Sequence, residues 1–103
     1  MTKNEIITKL KQLKPKLTNE GFIILGIFGS YARGEETRKS DLDILYELNE
    51  TFIKNYQGFT AFSRLNRIKQ ELQDIFGIEV DIAARSGLSR TGKKYILKDL
   101  QSV

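Results

Sequence analysis

The link between the first two apolar runs of this chain is too short for a crossover helix, and that restricts how any sheet built from them can be wired. Phe22-Ile23-Ile24-Leu25-Gly26-Ile27-Phe28 is nearly unbroken and rich in β-branched and aromatic residues, as in a central strand buried on both faces. Gly29-Ser30 ends that run, residues 30 to 34 begin a short helix, and Glu35 to Lys39 is a charged connection. Asp41 to Glu47 then alternates, with Leu42, Ile44 and Tyr46 on one face and Asp41, Asp43 and Leu45 on the other. A parallel crossover needs about a dozen residues including its helix, and the stretch from Gly34 to Ser40 falls short of that. The expected architecture is therefore α/β, with a small mixed β-sheet of about three or more strands and helices packed mainly on one side.

The flanking segments fit this plan. Thr2 and Glu5 form a capping box, after which Ile6, Leu10, Leu13 and Leu17 recur at helical spacing. Pro15 is expected to kink that helix or end it near Lys14, and Asn19-Glu20-Gly21 stops it in either case. Asn49 to Gly58 has no clear period and reads as a loop or short excursion. From Phe59 to Phe76, the residues Ala61, Phe62, Leu65, Ile68, Leu72, Ile75 and Phe76 define a long amphipathic helix that Gly77 terminates. Ile78 to Ile82 alternates as a third strand, and Arg85 to Gly92 is a polar loop. Tyr95, Ile96, Leu100 and Val103 suggest a short C-terminal helix. With no repeat and no composition break, residues 1–103 are expected to form a single domain.

Two residue types that are missing narrow the chemistry. The chain has no cysteine, which removes disulfides and thiolate metal sites and fits a cytoplasmic protein. It also has no histidine, so a metal would need oxygen ligands, which favours magnesium, manganese or calcium over zinc. Any general base must then be a carboxylate, Lys or Tyr. The net charge of +4 comes from scattered Lys and Arg diluted by acids, so direct nucleic-acid binding is not expected. No apolar run is long enough to span a membrane, and the N-terminus does not read as a secretory signal.

The strongest chemical signal runs from Gly29 to Asp43. A Gly-Ser turn suits a phosphate: glycine permits close backbone approach, and Ser30 offers a hydroxyl and an N–H. Arg33 can pair with phosphate or hold Asp41 or Glu35, and Ser40 can brace the aspartate strand. Asp41 and Asp43 lie about 6.6 Å apart on one strand face at a rise of roughly 3.3 Å per residue, close enough to bracket an ion. Two metal ions can neutralise a triphosphate and align attacking and leaving oxygens, which calls for a third carboxylate. Asp81 is the better-placed candidate, opposite the apolar face of Ile78, Val80 and Ile82, and could also accept a proton from an attacking hydroxyl. Glu79 shares its face and is the rival. Taken singly, a Gly-Ser or an Asp-x-Asp is an ordinary turn or strand edge; their order and spacing give them weight.

The pattern Gly29-Ser30-x-Ala32-Arg33-Gly34-x5-Ser40-Asp41-x-Asp43, followed by Asp81, resembles the signature of the polymerase-β-type nucleotidyltransferase superfamily. Its size resembles the minimal nucleotidyltransferase (MNT) group. The resemblance implies the nucleotidyltransferase fold, ATP as substrate with Mg2+, and metal ligands at Asp41, Asp43 and Asp81. It places the nucleotide on Gly29 and Ser30, with Arg33 and Ser40 beside them. It also implies an antitoxin paired with a HEPN-type toxin, an RNase, on which a tyrosine receives AMP. Alternatives are an antitoxin that neutralises by binding alone, and a stand-alone adenylyltransferase acting on a small molecule. Tyr46 departs from the family pattern, where an aliphatic residue is usual.

Overall fold

The computed structural model describes residues 1–103. In chain order it contains α1 (Lys3–Asn19), β1 (Phe22–Phe28), α2 (Gly29–Arg33), β2 (Leu42–Leu48), α3 (Glu50–Asn55), α4 (Phe59–Phe76), β3 (Val80–Ala84), a 3-10 turn (Arg85–Gly87), α5 (Arg90–Asp99) and β4 (Gln101–Ser102). The four strands form one sheet in the order β3-β2-β1-β4. β1 pairs antiparallel with β2 and with β4, whereas β2 and β3 are parallel. The short link thus gives the antiparallel pair, and α3 and α4 supply the longer crossover that a parallel pair needs. No helix is long and apolar enough to cross a membrane.

One face of the sheet carries the core. Ile6 and Leu10 of α1, Phe52 of α3 and Ile68 and Leu72 of α4 close over Phe22, Ile24, Ile27, Leu42, Ile44 and Val80. A bulge at Leu25 shifts the register between Ile24 and Gly26, which lets Ile24 and Ile27 both face this core. Tyr46 stacks on Phe22 with ring centroids 4.5 Å apart, so the family departure is a packing residue. The capping box at Thr2 and Glu5 is formed.

Several expectations need correction. Pro15 neither ends α1 nor stops it near Lys14; the helix runs on to Asn19, because Leu17 anchors its last turn in the core. Residues 49 to 58 contain α3, capped by the Asn49 side chain accepting from Thr51 and Phe52 N–H. Its single buried anchor, Phe52, gives no period to read, yet truncating it would cost about 3–5 kcal/mol. Phe62 and Ile75 are exposed rather than core, as is Phe59 at 92%. The face of α4 that packs on the core runs through Ala61, Leu65, Ile68, Leu72 and Phe76, with Phe62 to one side of it and Phe59 opposite. β1 is not buried on both faces; Ile23, Leu25 and Phe28 are half-buried. Helix α5 starts at Arg90, inside the expected loop, and the chain then turns into β4, with Val103 N–H donating to Leu25 C=O at 3.1 Å.

Candidate active site

The second face of the sheet carries the acidic residues. Asp43 lies in β2 with Phe28 as its partner on β1 and Asp81 as its partner on β3. Parallel register therefore sets two carboxylate-bearing residues directly across from each other. Asp41 stands just before β2, two residues along on the same side of the chain, and is exposed. Below them on this face Leu45 is fully buried, opposite Gly26 and Ala83. Leu100, just past α5, lies so near Gly26 that an added Cβ would stand 2.9 Å from its Cδ1.

Gly29 joins the turn to the carboxylates. Its φ of 75° is in the left-handed region, and a Cβ placed there would collide with Asp43 Oδ2. The left-handed φ favours glycine, and the missing Cβ lets the Asp43 carboxylate lie against the Gly-Ser turn. Gly34, φ 73°, closes α2 and turns the chain towards β2.

The electrostatics follow from this crowding. Burial, then the charges of Asp81 and Asp41, push the Asp43 carboxyl up to about 6, an effect that Arg33 partly offsets. Asp81 is paired with Lys69 of α4, Nζ to Oδ1 at 3.6 Å. No three carboxylates converge closely enough to form a ready-made metal cage. These like charges repel, and Lys69 partly neutralises one of them from the α4 side. As a donor set they suit a hard cation: oxygen ligands only, one ligand costly to ionise without a counter-charge, and no histidine or cysteine anywhere. The residues fit magnesium in kind.

The remaining expected residues sit as follows. Ser30 is in the first turn of α2, beside Gly29. Arg33 does not hold Asp41; its Nε donates to Glu35 Oε2 at 3.0 Å and its Nη1 to Asp99 Oδ2 at 2.9 Å. Its guanidinium is thereby committed to tying α2 to the end of α5. Ser40 Oγ accepts from Thr37 N–H at 2.8 Å, which folds the 37–40 turn that delivers Asp41. Glu79 precedes β3 and its carbonyl accepts from Leu42 N–H at 2.8 Å. Glu79 lines a polar cleft of about 480 Å³ together with Asp41, Arg38 and Gln70. Two further residues belong to the site's surroundings, Lys69 beside Asp81 and Asp99 beside Arg33. Lys69 is next to buried Ile68 and so at the border of the helix's apolar stripe, the one signal that could have drawn attention to it.

A family model described as nucleotidyltransferase domain matches residues 3–102. A protein of Methanocaldococcus jannaschii, provisionally named a protein adenylyltransferase, is 37% identical over 98 residues, covering 93% of this chain and 89% of the relative. A solved structure provisionally described as a minimal nucleotidyltransferase superposes with a TM-score of 0.74 at 25% identity, covering 100% of this chain and 97% of that one. A crystal structure described as a toxin-antitoxin with AMP-PNP shares the fold, with a TM-score of 0.63 at 22% identity. That likeness covers 99% of this chain and 72% of the solved one.

Proposed function

Because the chain belongs to the nucleotidyltransferase domain family, we propose that it is a Mg-ATP-dependent protein adenylyltransferase, the antitoxin of a HEPN-type toxin whose tyrosine it modifies with AMP. The observation that carries this reading is the contact of Gly29 with Asp43, which sets a phosphate-type turn directly against the acidic pair of β2 and β3. The relative provisionally named a protein adenylyltransferase supports the reaction class. The toxin-antitoxin structure containing AMP-PNP, an ATP analogue, supports a partner of that kind. In this reading residues 1–103 work as one domain.

Each residue then has a task. Gly29 and Ser30 hold the triphosphate through backbone N–H groups and the serine hydroxyl. Arg33 holds α2 in place through Glu35 and Asp99 and lends positive charge beside Asp43. Ser40 fixes the turn that presents Asp41. Asp41, Asp43 and Asp81 would hold magnesium, two ions in the full site. When bound, magnesium supplies charge neutralisation of the phosphates and alignment for in-line displacement. Asp81 is exposed and accepts the proton of the tyrosine hydroxyl as its oxygen bonds to the α-phosphorus and pyrophosphate departs. A small fold without an enclosed acceptor pocket leaves positioning to the partner's own surface.

Incubating the protein with ATP, magnesium and the product of the neighbouring gene tests this. Intact-mass spectrometry should show the partner gaining AMP, and fragmentation should place it on tyrosine. A partner that stays unmodified, with its toxicity still blocked by the Asp41→Asn protein, would instead establish neutralisation by contact.

A further inference from the structure

Lys69 is the one cationic side chain within ion-pair distance of any of the three aspartates. Its helix is fixed beneath it, since Ile68 is fully buried and Leu72 nearly so. The ammonium therefore reaches Asp81 from a rigid base, although the pair itself is open to solvent, with side chains 38% and 57% exposed. Asp81 is also the residue set directly across from Asp43, and like charges facing each other on neighbouring strands are unfavourable. The ammonium beside Asp81 offsets part of that repulsion from the α4 side.

We infer that Lys69 is a placeholder cation: in the metal-free protein it neutralises Asp81, and a divalent ion must displace it to recruit that carboxylate. Lys69 is thus a positioning residue that acts through Asp81 and sets how tightly metal binds before nucleotide arrives. The inference rests on the proposed metal site. It assigns to α4 a part in metal affinity that the Gly29–Asp43 motif does not contain.

The competition is readable without turnover. Manganese binding to the nucleotide-free protein, followed by electron paramagnetic resonance of the free ion, should be about two- to fivefold tighter in Lys69→Met, the range expected for losing an exposed competing pair. Lys39→Met removes the same charge near Asp41 from a side chain that pairs with none of the aspartates, and should change the affinity less. A second readout follows Lys69 itself by carbon-13 NMR after reductive methylation, with its signal assigned by its absence in Lys69→Met. Magnesium should shift that signal in the wild type. In Asp81→Asn it should already lie near the released position and should ignore magnesium. If wild type and Lys69→Met bind manganese equally, or the Lys69 signal is unmoved at saturating magnesium, the placeholder role is wrong while the metal site stands. If neither protein binds manganese, the metal site itself is wrong and this inference falls with it.

Discussion

Replacing Asp43 with asparagine is expected to make the metal-free protein more stable while ending its chemistry. The carboxyl is raised from 3.8 to about 6 by burial and by Asp81 and Asp41, so ionising it costs the folded state more than the unfolded one. A displacement of about 2 pH units corresponds to about 3 kcal/mol at roughly 1.36 kcal/mol per unit. Asp43 is only half-buried, so solvent screening brings the realised figure nearer about 1 kcal/mol. The sign is fixed by proton uptake. Between 3.8 and about 6 the folded state binds more protons than the unfolded state, so this group's contribution is favourable at low pH and is lost as pH rises through about 6. Asparagine has the same shape and never ionises. In chelator, urea denaturation at about pH 7.5 should show Asp43→Asn more stable by about 1 kcal/mol, or about 4–8 °C in Tm. At about pH 4, where the wild-type carboxyl is largely protonated, the difference should shrink towards zero. A variant less stable than wild type at the higher pH, or equally stabilised at both, would refute the reasoning.

Other outcomes follow from the same geometry. Gly29→Ala should lose about 1–2 kcal/mol through left-handed strain, with the Asp43 carboxylate forced to swing aside, and the loss is measurable by thermal denaturation. Mg-ATP should raise stability by roughly 2.7 kcal/mol at a hundredfold excess over its dissociation constant, and calorimetry with the double variant Asp41→Asn, Asp43→Asn should show no such gain. Arg64 binds Glu20 through two bonds of 2.8 and 2.7 Å, so Arg64→Met should cost about 1–2 kcal/mol in urea denaturation. Chiefly through the Arg64 bond, the Glu20 carboxyl sits below its ordinary 4.5. That stability is therefore present above 4.5 and lost as acid titrates the folded state, an acid-side loss that Arg64→Met should reduce, leaving the smaller part due to Tyr56 and Lys16.

What the sequence reveals and what it hides divide along physical lines. The two faces of β2, the Asp43–Asp81 side of the sheet and the long helix ending at Gly77 are local patterns of period two or 3.6, and they were legible. The Pro15 outcome was not, because the local cost of the proline is offset by packing of Leu13 and Leu17 on the core, a tertiary effect. Helix α3 hangs on a single buried Phe52, and β4 is two residues long, too few for any period. Phe62 lies at the edge of the α4 stripe, about a quarter-turn from Ala61 and Leu65, which pack on the core, and period alone does not say where that edge falls. Within the site, Glu35 is among the partners that the sequence offers Arg33, and it is the one bonded. Its second tie to Asp99, like the pairing of Lys69 with Asp81, joins elements whose approach only the folded chain defines.

The parallel pairing of β2 with β3 has a kinetic consequence. Asp43 and Asp81 are on adjacent strands only after the chain has passed through α3 and α4, whereas the β1–β2 pair closes across a short link. Pairings distant in sequence bear the larger loop-closure cost, so this contact belongs to the later part of assembly. Repulsion between the two carboxylates is then largely absent while the chain collapses and is felt once the structure is complete. The part of it that Lys69 leaves uncompensated is expected to act on the lifetime of the folded state, so a captured cation should slow opening more than it hastens folding.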